Sequence, residues 1–179
     1  VGGNGQLFHD AVVSGKTICG PVIASAIEKA LKMGESNACM KRIVAAPTAG
    51  ACGVVPAVYL TLQEQRQIDD ERMLEAMYIA SGVGGVIANR AFLAGAAGGC
   101  QAEIGSASSM AAAGAVYLAG GDTEAIIHAA AMAMKNLLGL ACDPVAGLVE
   151  VPCVKRNVVG AVNALSAADM ALAGVRSII

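Results

Sequence analysis

The sequence has no tryptophan, and aromatic residues fill only 3% of its 179 positions. With so few rings, the bulk of the core must come from Ala, Val, Ile, Leu and Met. Charge is sparse too, at 15%, with 12 Lys and Arg scattered against 14 Asp and Glu for a net −2. There is no basic stripe, so nothing argues for nucleic-acid binding and none is expected. No CxxC pair occurs, which removes the zinc ribbon and the thioredoxin-like redox pair. No GxSxG occurs. SGKT at 14–17 fails as a phosphate loop because Asp10 stands where the first glycine belongs, and GVGGVIA at 82–88 fails as a dinucleotide fingerprint because Ile87 does. No secretory signal pattern opens the chain, and the expected compartment is the cytoplasm. The first residue is Val1, not Met, which points to a fragment or a processed chain.

What is present is small and apolar. Apolar residues make up 56%, and there are 22 glycines. Small side chains let backbones approach closely, so tightly packed helices are expected rather than a sheet sandwich. The longest charge-free run, Ile104–Gly121, is mostly Ala, Gly and Ser. It is at the short limit for a membrane span and reads as a buried helix.

The expected fold is mainly α, a single compact helical domain with glycine- and proline-rich loops. Residues 1–20 read as irregular. Val22–Met33 has helical periodicity, and Ser36 or Asn37 is placed to cap a second short helix through Val44. PTAGACGVVP, residues 47–56, reads as a loop with Pro56 opening the next helix. QEQRQIDDER, 63–72, reads as an exposed turn. Asp69 or Asp70 then caps a helix with a Leu74, Met77, Tyr78 stripe. Asp122 or Thr123 caps another, carrying Ile126, Ile127, Ala130, Met134, Leu137 and Leu138, which Gly139 closes. Val158–Ala173 is the last helix. Val54–Thr61 and Leu148–Val154 have strand-like composition. His128, on an apolar helix, is expected to be a hydrogen-bonded core residue, and His9 a surface one. Arg90 is the one charge between Ala76 and Ala102, where a buried cation would need a partner.

Six cysteines lie at 19, 39, 52, 100, 142 and 153. With no secretory signal, reduced thiols or metal ligands are the better reading than disulfides. Cys142 and Cys153 bracket CDPVAGLVEVPC, which also holds Asp143 and Glu150. Cys100 follows AAGG. All three sit at element ends, where distant segments converge. Three thiolates would leave one iron of a four-iron cluster open, and an open iron is a Lewis acid. Free cysteine also packs as a small hydrophobe. Spacing alone leaves both readings open.

Three blocks carry a resemblance. APTAGACGVVP (46–56), GGCQAEIGSASSMAAAG (98–114) and LGLACDPVAGLVEVPCVKRN (138–157) resemble the catalytic α chain of the iron–sulfur-dependent L-serine dehydratases, from about residue 20 to the end. The resemblance implies a helical catalytic domain over 1–179, without the family's further N-terminal portion. It implies a [4Fe–4S] cluster on Cys100, Cys142 and Cys153, with no pyridoxal phosphate. Cys52 is not carried over as a ligand, and Cys19 and Cys39 keep the packing reading. The implied reaction takes L-serine to pyruvate and ammonia, together with a β chain and without a membrane.

Thr48, Gly50 and Gly53 are candidates for holding the substrate carboxylate, since glycines free backbone N–H groups to face an anion. Lys155, Arg156 and Asn157 follow the last cysteine, where one could face substrate, although adjacent charges are usually solvated. Glu103 is either a group supporting the cluster or a helix-terminal charge. No α-proton base is evident, and its identity stays open, the parts of the family's enzyme outside this chain being one place for it. Elimination from cysteine or threonine, and a non-catalytic helical subunit whose cysteines only pack, are the alternatives.

Overall fold

The computed structural model describes residues 2–148 and 150–178, excepting the Glu150 side chain. Val149, in the second strand-like stretch, lies outside the described residues. Among those described the fold is mainly α. Its helices are α1 (Asn4–Val13), α2 (Gly20–Ala38), α3 (Val54–Arg66), α4 (Asp70–Arg90), α5 (Gly95–Gly98), α6 (Ser106–Leu118), α7 (Thr123–Lys135) and α8 (Glu150–Leu172). A single 3₁₀ turn covers Ala49–Ala51, and a wider π-type turn, Gln101–Gly105, leads into α6. No described helix is long and apolar enough to cross a membrane.

Local chemistry accounts for the starts. Asp69 Oδ1 accepts the Arg72 amide at 2.8 Å, and Asp122 Oδ1 accepts the Ala125 amide at 2.8 Å, so α4 and α7 carry side-chain N-caps. Pro21 sits in the first turn of α2, where a missing N–H costs nothing.

α6 is the axis. Every residue from Ser106 to Val116 is buried, and α3, α4, α7 and α8 pack around it. Its serines spend their hydroxyls on neighbouring helices: Ser108 donates to Gly160 O at 2.9 Å and Ser109 to Ala130 O at 2.8 Å. Gly114 permits the closest approach. A Cβ there would lie 1.8 Å from Tyr59 Oη and 3.1 Å from Ala76 O. The Tyr59 hydroxyl reaches Ala76 O on α4 (3.3 Å) and Met110 O on α6 (3.2 Å), so one side chain joins three helices.

Several expectations are corrected. Residues 4–13 are helical, not irregular, because Glu35 of α2 caps them from a distance: its carboxylate accepts the Asn4 amide (2.6 Å), Asn4 Nδ2 (2.8 Å) and the Gly5 amide (3.2 Å). α2 continues through Ser36, whose hydroxyl donates back to Lys32 O instead of starting a new helix, and no helix follows to Val44. Val54–Thr61 belongs to α3, where Val54 and Val58 face the core one turn apart. Residues 150–154 open α8, and Val145 and Leu148 form only an isolated bridge. The last helix therefore begins eight positions earlier than its periodicity suggests.

The Leu74, Met77, Tyr78 stripe faces outward, and Met73, Ala76, Ala80 and Gly84 face inward. Arg90 is exposed in the last turn of α4, where a cation suits the helix carbonyls. Cys19 and Cys39 are exposed rather than packed. His9 is bonded to Glu28 (3.0 Å), and half-buried His128 to Ser177 (3.0 Å).

Candidate functional site

The three cysteines come from three places: Cys100 just before the π-type turn, Cys142 in the loop after α7, and Cys153 in the first turn of α8. Cys100 is buried at 2% exposure, Cys153 is half-buried and Cys142 is exposed. Both outer thiols meet the central one. Burial, then the neighbouring Cys100 and Glu103, pushes the Cys153 thiol up to about 12. What desolvation Cys142 feels, then contact with Cys100 and the charges of Asp143 and Glu103, pushes its thiol up as well. All three thiols therefore face one neighbourhood. Among the described residues no three metal-ligating side chains are grouped tightly enough to hold an ion as they stand. By donor type the residues fit a thiolate-bound cluster, with Cys100 as the common neighbour of the other two.

Thr48 and Gly50 lie beside them. Thr48 Oγ1 donates to Glu103 Oε1 at 2.7 Å. Gly50 lies so close to the same carboxylate that a Cβ would sit 2.7 Å from Oε2. Only a glycine fits. Glu103, on the π-type turn, thus spans from the 47–53 loop to the cysteines, whose titration it influences.

Gly53 is placed differently. Its N–H donates to Asn157 Oδ1 at 2.8 Å, and it is wedged against Ala30 O and Asn157. Asn157 Nδ2 donates to Gly50 O (2.9 Å) and to Cys153 O (2.8 Å). One 1%-exposed side chain thus clamps the 47–53 loop onto the helix that carries Cys153. Cys52 is buried in the same loop, where burial pushes its thiol up to about 11 and its sulfur lies 3.8 Å from Met33 O. It packs.

Arg156 lies three residues after Cys153. Its Nη1 donates to Cys100 Sγ at 2.9 Å and to Ala141 O at 3.2 Å, and pairs with Asp143. Asn157 and Arg156 are the functional-looking residues that pattern reading undervalued. With α8 starting at Glu150 instead of 158, positions 153, 156 and 157 share a helix face.

A groove of about 490 Å³ lies elsewhere, lined by Asp122, Glu124, His128, Leu172 and Arg176. It sits at the C-terminal end of α8, about 28 Å of helix rise from Cys153. Of its polar side chains, Glu124 pairs with Arg176, His128 is bonded to Ser177 and Asp122 caps α7. Chemistry concentrates at the cysteine end, not here.

A family model described as "Serine dehydratase alpha chain" matches residues 2–179. The chain is 52% identical over 176 residues to a probable L-serine dehydratase, alpha chain, of Bacillus subtilis (strain 168), covering 98% of this chain and 59% of that one. It is 45% identical over 179 residues to the L-serine dehydratase, alpha chain, of Peptoniphilus asaccharolyticus, covering 100% and 61%. It is 45% identical over 144 residues to L-serine dehydratase 2 of Escherichia coli (strain K12), covering 80% and 32%. The chain therefore spans about three-fifths of the first of these relatives and about a third of the last.

Proposed function

The chain belongs to the serine dehydratase alpha-chain family, and from that premise we propose that it forms the catalytic α part of a [4Fe–4S]-dependent L-serine ammonia-lyase. The observation that carries this reading is the meeting of Cys142 and Cys153 at buried Cys100, next to a glycine loop and a carboxylate. Cys100, Cys142 and Cys153 would hold the cluster. When bound, it supplies a Lewis acid that stabilises the departing β-hydroxide.

The chain's own residues bind and orient. The substrate carboxylate is assigned to backbone N–H groups of the loop at Thr48 and Gly50, the Thr48 hydroxyl being given to Glu103, and Gly53 lets that loop seat against α2 and α8. Glu103 offsets the charge of the substrate ammonium group. Asn157 holds the loop in register with Cys153. The α-proton leaves to a base contributed by the rest of the enzyme. Serine loses its α-proton and β-hydroxide as water to give aminoacrylate, and addition of water then releases ammonia and pyruvate. No pyridoxal phosphate takes part. The partner is a β chain, and the compartment is the cytoplasm.

The test is the complete α chain with its β chain, purified without oxygen and loaded with iron and sulfide. We expect a four-iron EPR signal that shifts when L-serine is added, together with pyruvate formation. A folded complex that takes up no iron, or whose signal ignores serine, sinks the reading.

A further inference from the structure

Nearly every contact of Arg156 concerns a cysteine. Its guanidinium donates to Cys100 Sγ (2.9 Å) and also grips Ala141 and Asp143, the residues on either side of Cys142. It projects from α8 one turn beyond Cys153. The side chain is only 17% exposed, so this cation is largely removed from water. One group thus reaches the buried cysteine, the loop of the second and the helix of the third.

We propose that Arg156 is a positioning residue for the cluster. It sets the three cysteine-bearing segments in register, and its N–H donated to the Cys100 sulfur draws charge from that ligand and raises the reduction potential. This rests on the cluster reading above. Lysine replaces it only in part: an ammonium is a point charge, whereas the planar fork reaches sulfur, carbonyl and carboxylate together. Asp143 contributes to the register alone, since it touches the guanidinium and not the sulfur.

The experiment uses the complete α and β chains, loaded anaerobically, as wild type, Arg156→Gln, Arg156→Lys and Asp143→Asn. The readouts are iron per chain, the rate of iron loss to a chelator, and the midpoint potential from an EPR-monitored titration. In R156Q we expect iron loss to quicken roughly tenfold or more, with a more negative midpoint. R156K falls between R156Q and wild type. D143N loses iron faster, but its midpoint does not move negative: the N–H to sulfur remains, and the negative charge lost beside Cys142 can only shift the potential the other way. A loaded wild type beside an R156Q with unchanged iron loss and midpoint overturns the inference alone. If R156Q does not fold, an R156K indistinguishable from wild type overturns it. A D143N midpoint shift equal to that of R156Q overturns the assignment to the Cys100 sulfur. A folded wild-type complex without iron overturns the cluster reading and this inference with it.

Discussion

At the scale of single residues, Asn157 and Gly50 hold the most consequence. Asn157 is buried with both ends of its amide engaged, so Asn157→Leu strands the Gly53 N–H and the Gly50 carbonyl in an apolar setting. An unpaired buried polar group costs about 1–3 kcal/mol. Urea denaturation of N157L should show a loss of that size or somewhat more. Gly50→Ala drives a methyl into the Glu103 carboxylate. Displacing a positioning group by about 1 Å costs on the order of 100-fold. We expect G50A to lose about that much in kcat/KM for serine while keeping its iron, which steady-state assays and iron analysis would check.

The cysteines stand out in the sequence because their surrounding block is distinctive. Arg156 and Asn157 appear there only as neighbours of the last cysteine, one of which could face substrate, and their contacts to Cys100, Gly50 and Gly53 are not legible in it. Pro152 and the valines around it look like a strand or loop, yet Pro152 lies in the first turn of α8, where proline is tolerated. Moving the helix start is what turns three unrelated positions into one face.

At the scale of elements, α1 shows why local pattern misleads. No residue of its own sequence caps it; Glu35 of α2 does. Burial alone would raise the Glu35 pKa, but the amides of Asn4 and Gly5 and the Asn4 side chain outweigh it and hold it below its ordinary 4.5. A depressed folded pKa gives stability that is complete above the ordinary value and is lost as pH falls through the folded one. The protection of the α1 amides, taken relative to their intrinsic exchange rate at each pH, should therefore fall below about pH 4.5, and Glu35→Gln should flatten that dependence. An α1 whose protection ignores pH in the wild type would contradict this.

α4 teaches the opposite lesson. Its larger apolar stripe was the obvious core face, but its small stripe won, because α6 offers a surface of small residues against which only backbones can close. Gly114→Ala should separate α3 and α4 from α6. Overpacking typically costs about 1–3 kcal/mol, occasionally more, and with backbone on one side of the new methyl the upper end is expected. Thermal melts of G114A against wild type would measure it.

At the scale of the whole molecule, the helical class followed from composition: few rings, abundant Ala and Gly, and little alternation. The placement of the site did not, since it depends on how loops far apart in sequence meet at one end of α6. That arrangement has a thermodynamic consequence. A cluster held by Cys100, Cys142 and Cys153 binds the folded chain and not the unfolded one, so loading should raise the melting temperature by linkage. Cys100→Ser should abolish the increment while leaving the metal-free melt nearly unchanged. Anaerobic calorimetry before and after iron removal would record both.

Tyr59 has one further use. With no tryptophan to dominate its ultraviolet emission, the chain fluoresces only through three tyrosines. Tyr78 is 70% exposed and Tyr117 is half-exposed, so both are already wet in the native state. Tyr59, 3% exposed and hydrogen-bonded to α4 and α6, is the one of the three that goes from buried to wet when the bundle opens. The protein carries its own optical gauge at the seam between three helices, with no label needed to follow their parting in real time.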